Sequence, residues 1–161
     1  MRAYTRRQVG FTMVELITVM VLLGVLAAIG IPRLMGDNNI NAVVFGDQVT
    51  SAMRTAQKTA VAKRRLVCVT TTDRTVRLRI RTATGTGACN AQLTGVDTTQ
   101  YDSSDTKVKM ANTQTNLFFR PDGTIAASAA GAPLAGYAIT IAQAGVVQRS
   151  IAIDGRTGLV N

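Results

Sequence analysis

The pattern of apolar and polar positions divides the chain into three regions. From Phe11 to Ile31 the residues read FTMVELITVMVLLGVLAAIGI, with Glu15 as the sole charge. A helix of that length rises about 31 Å, close to the roughly 30 Å of a bilayer hydrocarbon core. From about Asn38 to Lys63 the period becomes amphipathic. Phe45, Val49, Ala52, Met53, Ala56 and Ala60 recur at helical spacing, while Asp47, Arg54, Lys58 and Lys63 occupy other positions. This predicts a helix whose apolar stripe packs on a sheet. After Arg65 the period falls to two, predicting strands at Leu66–Thr71 and Thr75–Arg81 joined at Asp73-Arg74. In the second strand Val76, Leu78 and Ile80 face one way, and Arg77, Arg79 and Arg81 the other.

Residues 82–106 are rich in Thr, Gly, Ser and Asp and read mainly as loop. Further strands are expected at Lys107–Met110, Leu117–Arg120, Tyr137–Ala142 and Val146–Ile153. Pro121-Asp122-Gly123 and Asp154-Gly155 read as turns, and Ala126–Gly136 as a flexible connection. The expected fold class is α+β: a long N-terminal helix, membrane-spanning in its first half, packed on an antiparallel β-sheet. The parts are a short basic N-terminal stretch (1–10), a spanning helix (11–31), its amphipathic continuation (32–63) and a β-rich domain (64–161). Pro32 lacks a backbone donor and Gly36 adds backbone entropy, so a kink or melted turn is expected there. Asp37, Asn38 and Asn39 offer capping chemistry for a restart.

Charge orients the segment. The chain carries a net charge of +9, and Arg2, Arg6 and Arg7 precede the apolar run. Basic residues before a span place its N-terminus in the cytoplasm and the bulk of the chain outside. A cleaved secretory signal has a shorter apolar run ending in a small-x-small site, whereas this run is followed by Pro32-Arg33-Leu34. Glu15 is the anomaly, because a carboxylate at mid-membrane costs about 2.5–3.5 kcal/mol on insertion scales. Either a positively charged partner offsets that cost, or Glu15 lies shallow enough to reach headgroups.

Gly10-Phe11-Thr12-Met13-Val14-Glu15 resembles the processing motif of type IV prepilins, Gly-Phe-Thr-Leu-x-Glu. In that family an inner-membrane prepilin peptidase cuts after the glycine and N-methylates the new terminus. The resemblance implies cleavage between Gly10 and Phe11 and methylation of Phe11. It gives Thr12 and Glu15 roles in subunit assembly, with the Glu15 carboxylate meeting the terminal amine of a neighbouring subunit. Pro32 matches a helix-kinking proline common in the family. Met53–Val69, Phe119–Gly123 and Ile151–Val160 resemble the FimT/GspH group of minor pilins and type II secretion pseudopilins. Pro32-Arg33-Leu34 and the Ala-Gln-Lys run are similar to minor pilins of mannose-sensitive pili. The implied partners are other pilins or pseudopilins, the prepilin peptidase and, before assembly, the inner membrane. The implied destination is the periplasm or cell exterior. A non-polymerising single-pass anchored protein is the reading from outside the family.

Other chemistry is sparse. An oxidising exported compartment favours a disulfide between Cys68 and Cys89, with two buried thiols as the alternative. Arg74, Arg77, Arg79 and Arg81 could form a basic stripe that meets phosphates without reading sequence. Some FimT-type pilins capture DNA through a C-terminal Gly-Arg-x-Arg motif. Gly155-Arg156-Thr157-Gly158 matches its first half and lacks the second arginine. The plainer reading of the stripe is a solvated face that discourages strand aggregation. Asp97, Asp102 and Asp105 supply the oxygens calcium takes, but their spacing departs from the EF-hand and reads as a solvated acidic loop. There is no histidine, P-loop, dinucleotide fingerprint or nucleophile elbow, so neither an enzyme nor a cofactor is expected.

Overall fold

A continuous stretch of aliphatic side chains without glycine pairs or polar breaks favours helix, and helix α1 runs from Met13 to Met35. The computed structural model describes residues 11–35, 39–83, 87–97 and 100–161. Gly10 and Gly36 lie outside them. α1 continues through Pro32, which has no N–H to donate to the preceding turn. The chain divides into two units, Met1–Asn38 and Asn39–Asn161.

The second unit opens with helix α2, Asn39–Lys63. Its core-facing stripe is Ala42, Phe45, Val49, Ala52, Met53, Ala56 and Ala60, each essentially inaccessible to water. Four of these seven are alanine, so the helix backbone sits close to the strands beneath it, and Phe45 and Met53 fill the remaining depth.

Among the described residues eight strands follow: β1 (Val67–Thr71), β2 (Val76–Ile80), β3 (Ala91–Gln92), β4 (Val108–Asn112), β5 (Asn116–Phe119), β6 (Ile125–Ala126), β7 (Gly136–Gln143) and β8 (Val146–Asp154). They form two antiparallel sheets. One has the order β3-β2-β1-β5-β6, the other β4-β7-β8. The single sheet expected from the periodicity is thus split. β1 is flanked on both sides, by β2 and by β5, so β4 pairs instead with β7. Backbone bonds link the sheets at the β1–β2 turn, where the Met110 N–H donates to the Asp73 carbonyl over 2.6 Å, and at the end of β8, where the Ile125 N–H donates to the Gly155 carbonyl over 3.0 Å. The connection expected to be flexible contains order. Ile125 and Ala126 pair with Phe119 and Phe118, and Pro133 bridges back to Ala126.

The β7–β8 hairpin turns on Ala144 and Gly145, both in the left-handed region at φ 51° and 85°. Two such residues make the tight turn whose twist matches the flanking strands. The C-terminus is pinned rather than loose. Asn161 and Ala152 exchange backbone hydrogen bonds of 2.9 and 3.2 Å, and Arg54 on α2 donates to the Val160 carbonyl.

Candidate functional site

The N-terminal segment starts in extended backbone at Phe11 and Thr12, then turns helical. Thr12 is the N-cap of α1. Its hydroxyl accepts the Glu15 N–H at 3.2 Å, and its carbonyl accepts the N–H groups of Glu15 and Leu16. Thr-x-x-Glu at a helix start is the capping-box spacing, a local signal already present in the sequence. The acid also stands in the first turn, where the helix dipole favours negative charge. Among the described residues no hydrogen bond or ion pair engages the Glu15 carboxylate. Thr18 is satisfied internally, its hydroxyl donating to the carbonyls of Val14 and Glu15.

Around these few polar groups the helix presents bare hydrocarbon. Phe11 and Met13 are more than four-fifths exposed, and the large aliphatic residues from Val14 to Ile29 are exposed all round the helix. Among the described residues, no helix is long and apolar enough to cross a membrane. The apolar run in the sequence continues to Ile31.

The basic strand is less uniform than its alternation predicts. Val76, Leu78 and Ile80 are buried as expected. Arg77 is neutralised by a two-pronged ion pair with Asp102, whose second bond spans 2.9 Å. That hydrogen bond, with the charge of Asp102, raises the already high pKa of Arg77 against the opposing effect of burial. Arg79 remains exposed and donates to the Asn90 carbonyl at 3.2 Å. Arg81 leaves the stripe: it lies one residue past the strand end and is only 7% exposed. Arg74 sits half-buried at the β1–β2 turn, and Arg156 projects from the turn after β8. The five arginines are therefore dispersed over several environments.

That last turn is tightly built. One Asp154 oxygen accepts the backbone N–H groups of Arg156 and Thr157 and the Thr157 hydroxyl, which holds its carboxyl below the usual range. Gly155 is required by close approach, since a Cβ there would stand 1.7 Å from the Leu134 carbonyl oxygen.

Cys68 and Cys89 are disulfide-bonded, their Cα atoms 6.0 Å apart. The bond ties the central strand β1 to the loop before β3. The aspartates of the acidic loop have separate engagements. Asp102 holds Arg77, while Asp105 accepts from the Asn41 side chain and the Lys107 N–H, which lowers its pKa. Among the described residues no group of three or more His, Cys, Asp or Glu side chains could hold a metal ion.

The prokaryotic N-terminal methylation motif matches residues 5–31. The fold is similar to that of the type IV minor pilin FimU of Pseudomonas aeruginosa (strain PAO1). Its crystal structure in space group P21 superposes with a TM-score of 0.56 at 16% identity, over 73% of this chain and 84% of that one. The crystal structure in space group P65 gives a TM-score of 0.53 at 15% identity, over 73% and 89%. The fold is that of a type IV pilin. No curated protein sequence matches it. In this pilin-like chain the motif covers most of the exposed apolar helix α1.

Proposed function

We propose that this chain is a structural subunit, a minor pilin or pseudopilin, of a type IV pilus-like filament. The observation that carries the reading is the pairing of a prepilin-type motif with a helix whose aliphatic surface is exposed on every side. So much exposed hydrocarbon is unfavourable in water at about 25 cal/mol per Å², and calls for lipid or for the helices of other subunits. In this reading prepilin peptidase cuts between Gly10 and Phe11 and methylates Phe11. The remaining helix holds the protein in the inner membrane, with the β-rich domain outside, until it enters the filament.

Glu15 then has a specific task. Capping is served by the Thr12 hydroxyl and carbonyl, which leaves the carboxylate available for the terminal amine of a neighbouring subunit. Pairing of the two charges offsets the cost of burying either in an apolar bundle. The machine class includes the pseudopilus of type II secretion, built on the same helix logic. Capture of DNA would fall to the arginines that stay in solvent, chiefly Arg79 and Arg156.

Mass spectrometry of the protein recovered from membranes tests the reading. The mature N-terminus is expected to be methylated Phe11, and the variant E15A should still insert while failing to enter filaments. An intact leader, a cut near Pro32, or undiminished assembly of E15A would overturn the proposal.

A further inference from the structure

Arg81 is the entry point to a second basic feature, one that strand alternation did not reveal. Its side chain is directed into a cleft of about 210 Å³ that is also lined by Arg64, Arg65 and Arg120. These four arginines come from three places in the chain: the end of α2, the end of β2 and the end of β5. Apolar residues such as Leu66 and Pro121 supply the remaining wall, and no carboxylate lines it among the described residues.

Each arginine is held by backbone structure. Arg64 and Arg65 close α2: the Arg65 N–H reaches back to the Ala60 carbonyl at 3.1 Å and the Arg64 N–H to Val61 at 3.2 Å. This six-to-one closure requires a left-handed residue, usually glycine, and here it is Arg64 at φ 49°. The Arg81 N–H donates to the Leu66 carbonyl at 3.0 Å, extending the β1–β2 ladder by one step. Arg120 opens the turn to β6, and its guanidinium also donates to the Gly131 carbonyl.

Two donors are left over. Arg81 Nε and one terminal nitrogen of Arg65 are buried and meet no acceptor among the described residues. A buried donor without a partner is costly, and in native proteins such groups are met by an ordered water, an ion or a ligand. The carbonyls at the end of α2 would favour nearby cations, but that accounts for Arg64 and Arg65 only. Arg81 and Arg120 arrive from strand ends. Asp122 feels the charge of Arg120 but does not line the cleft, and one of its oxygens accepts the N–H and hydroxyl of Thr124.

We propose that this cleft binds a tetrahedral oxyanion, a phosphate group in particular. Guanidinium forks match phosphate oxygens two at a time, and four positive charges suit a doubly charged group better than a single carboxylate. The volume equals that of roughly seven liquid waters, enough for one phosphate with a few waters. The left-handed Arg64 fits this assignment, because backbone strain is retained where the side chain is used. The site lies wholly within the second unit and does not depend on the filament reading.

Calorimetric titration of the full chain in a nonionic detergent with inorganic phosphate tests it, with chloride at matched ionic strength as reference. Saturable binding to phosphate alone is expected, weakened about tenfold in R81Q and R120Q. R64G separates binding from folding. Glycine is favoured at that position, so its melting temperature should hold or rise while phosphate affinity falls about threefold. No heat beyond the chloride reference would overturn the proposal, as would unchanged affinity in both R64G and R120Q. Binding confined to a thymidine oligonucleotide, without inorganic phosphate, would also overturn it, because an extended nucleic-acid track is not a single-oxyanion cleft.

Discussion

α1 and α2 are helices of similar length, 23 and 25 residues, with opposite relations to water. α1 is rich in Leu, Ile, Val and Met, and its described side chains are exposed. α2 contributes mostly alanines to its inner face, and these are buried completely. Hydrophobicity alone would rank the two the wrong way round for burial within the chain. The resolution is that burial follows geometric complementarity with an available partner. α2 has a narrow stripe of small residues that fits the two sheets beside it, whereas α1 is apolar all round, the pattern of a helix whose partner lies outside the chain. The contrast separates a helix that builds its own domain from one suited to lipid or to other copies.

The sharpest way to break this contrast is truncation on each helix. F45A should lower the unfolding free energy of the second unit by about 3–5 kcal/mol, as large core deletions do. L22A should leave it within about 0.5 kcal/mol, as substitutions outside a core do. Urea denaturation followed by tyrosine fluorescence or circular dichroism measures both. Equal losses would show that α1 contributes to the domain core and would dissolve the distinction. A somewhat smaller effect is expected from the cystine. The half-cystines are 21 residues apart, and removing both sulfurs (C68S with C89S) should cost about 3 kcal/mol through the freed unfolded chain. The loss should fall wholly on the second region, leaving the helicity of α1 in detergent unchanged.

Much of this architecture was legible because it rests on local periodicity. The α2 stripe from Phe45 to Ala60 and the alternation of Val76, Leu78 and Ile80 are each written in consecutive residues, and the structure places all of them in the core. The division into two sheets was not legible, since it depends on which strand reaches the free edge of β1, a long-range outcome. β6 escaped notice because two residues, Ile125 and Ala126, are too few to show a period. For the arginines the reason is similar. Alternation placed Arg81 with Arg77 and Arg79, but the strand ends at Ile80, and the following residue is free to turn inward. Arg64, Arg65 and Arg120 are separated from Arg81 by up to dozens of positions, and only the fold collects them. The processing motif stood out for the opposite reason, being six contiguous residues.

The smallest expected effect concerns acid. Asp105, Asp122 and Asp154 all belong to the second unit, and hydrogen bonds to their carboxylates lower their pKa values below the ordinary range. A carboxyl whose folded pKa is depressed stabilises the fold above its unfolded value of about 3.9, and that contribution disappears as pH falls through the folded value. The second region should therefore weaken below about pH 4, a window set by these depressed carboxyls. Asp154 allows a clean test, because asparagine in D154N keeps an oxygen for the Arg156 and Thr157 N–H groups while removing the titration. The difference in urea midpoint between pH 7 and pH 3 should be smaller in D154N than in the natural chain. An identical difference would mean that the turn after β8 is held by its backbone and by Gly155 alone, with the charge on Asp154 contributing nothing to the fold.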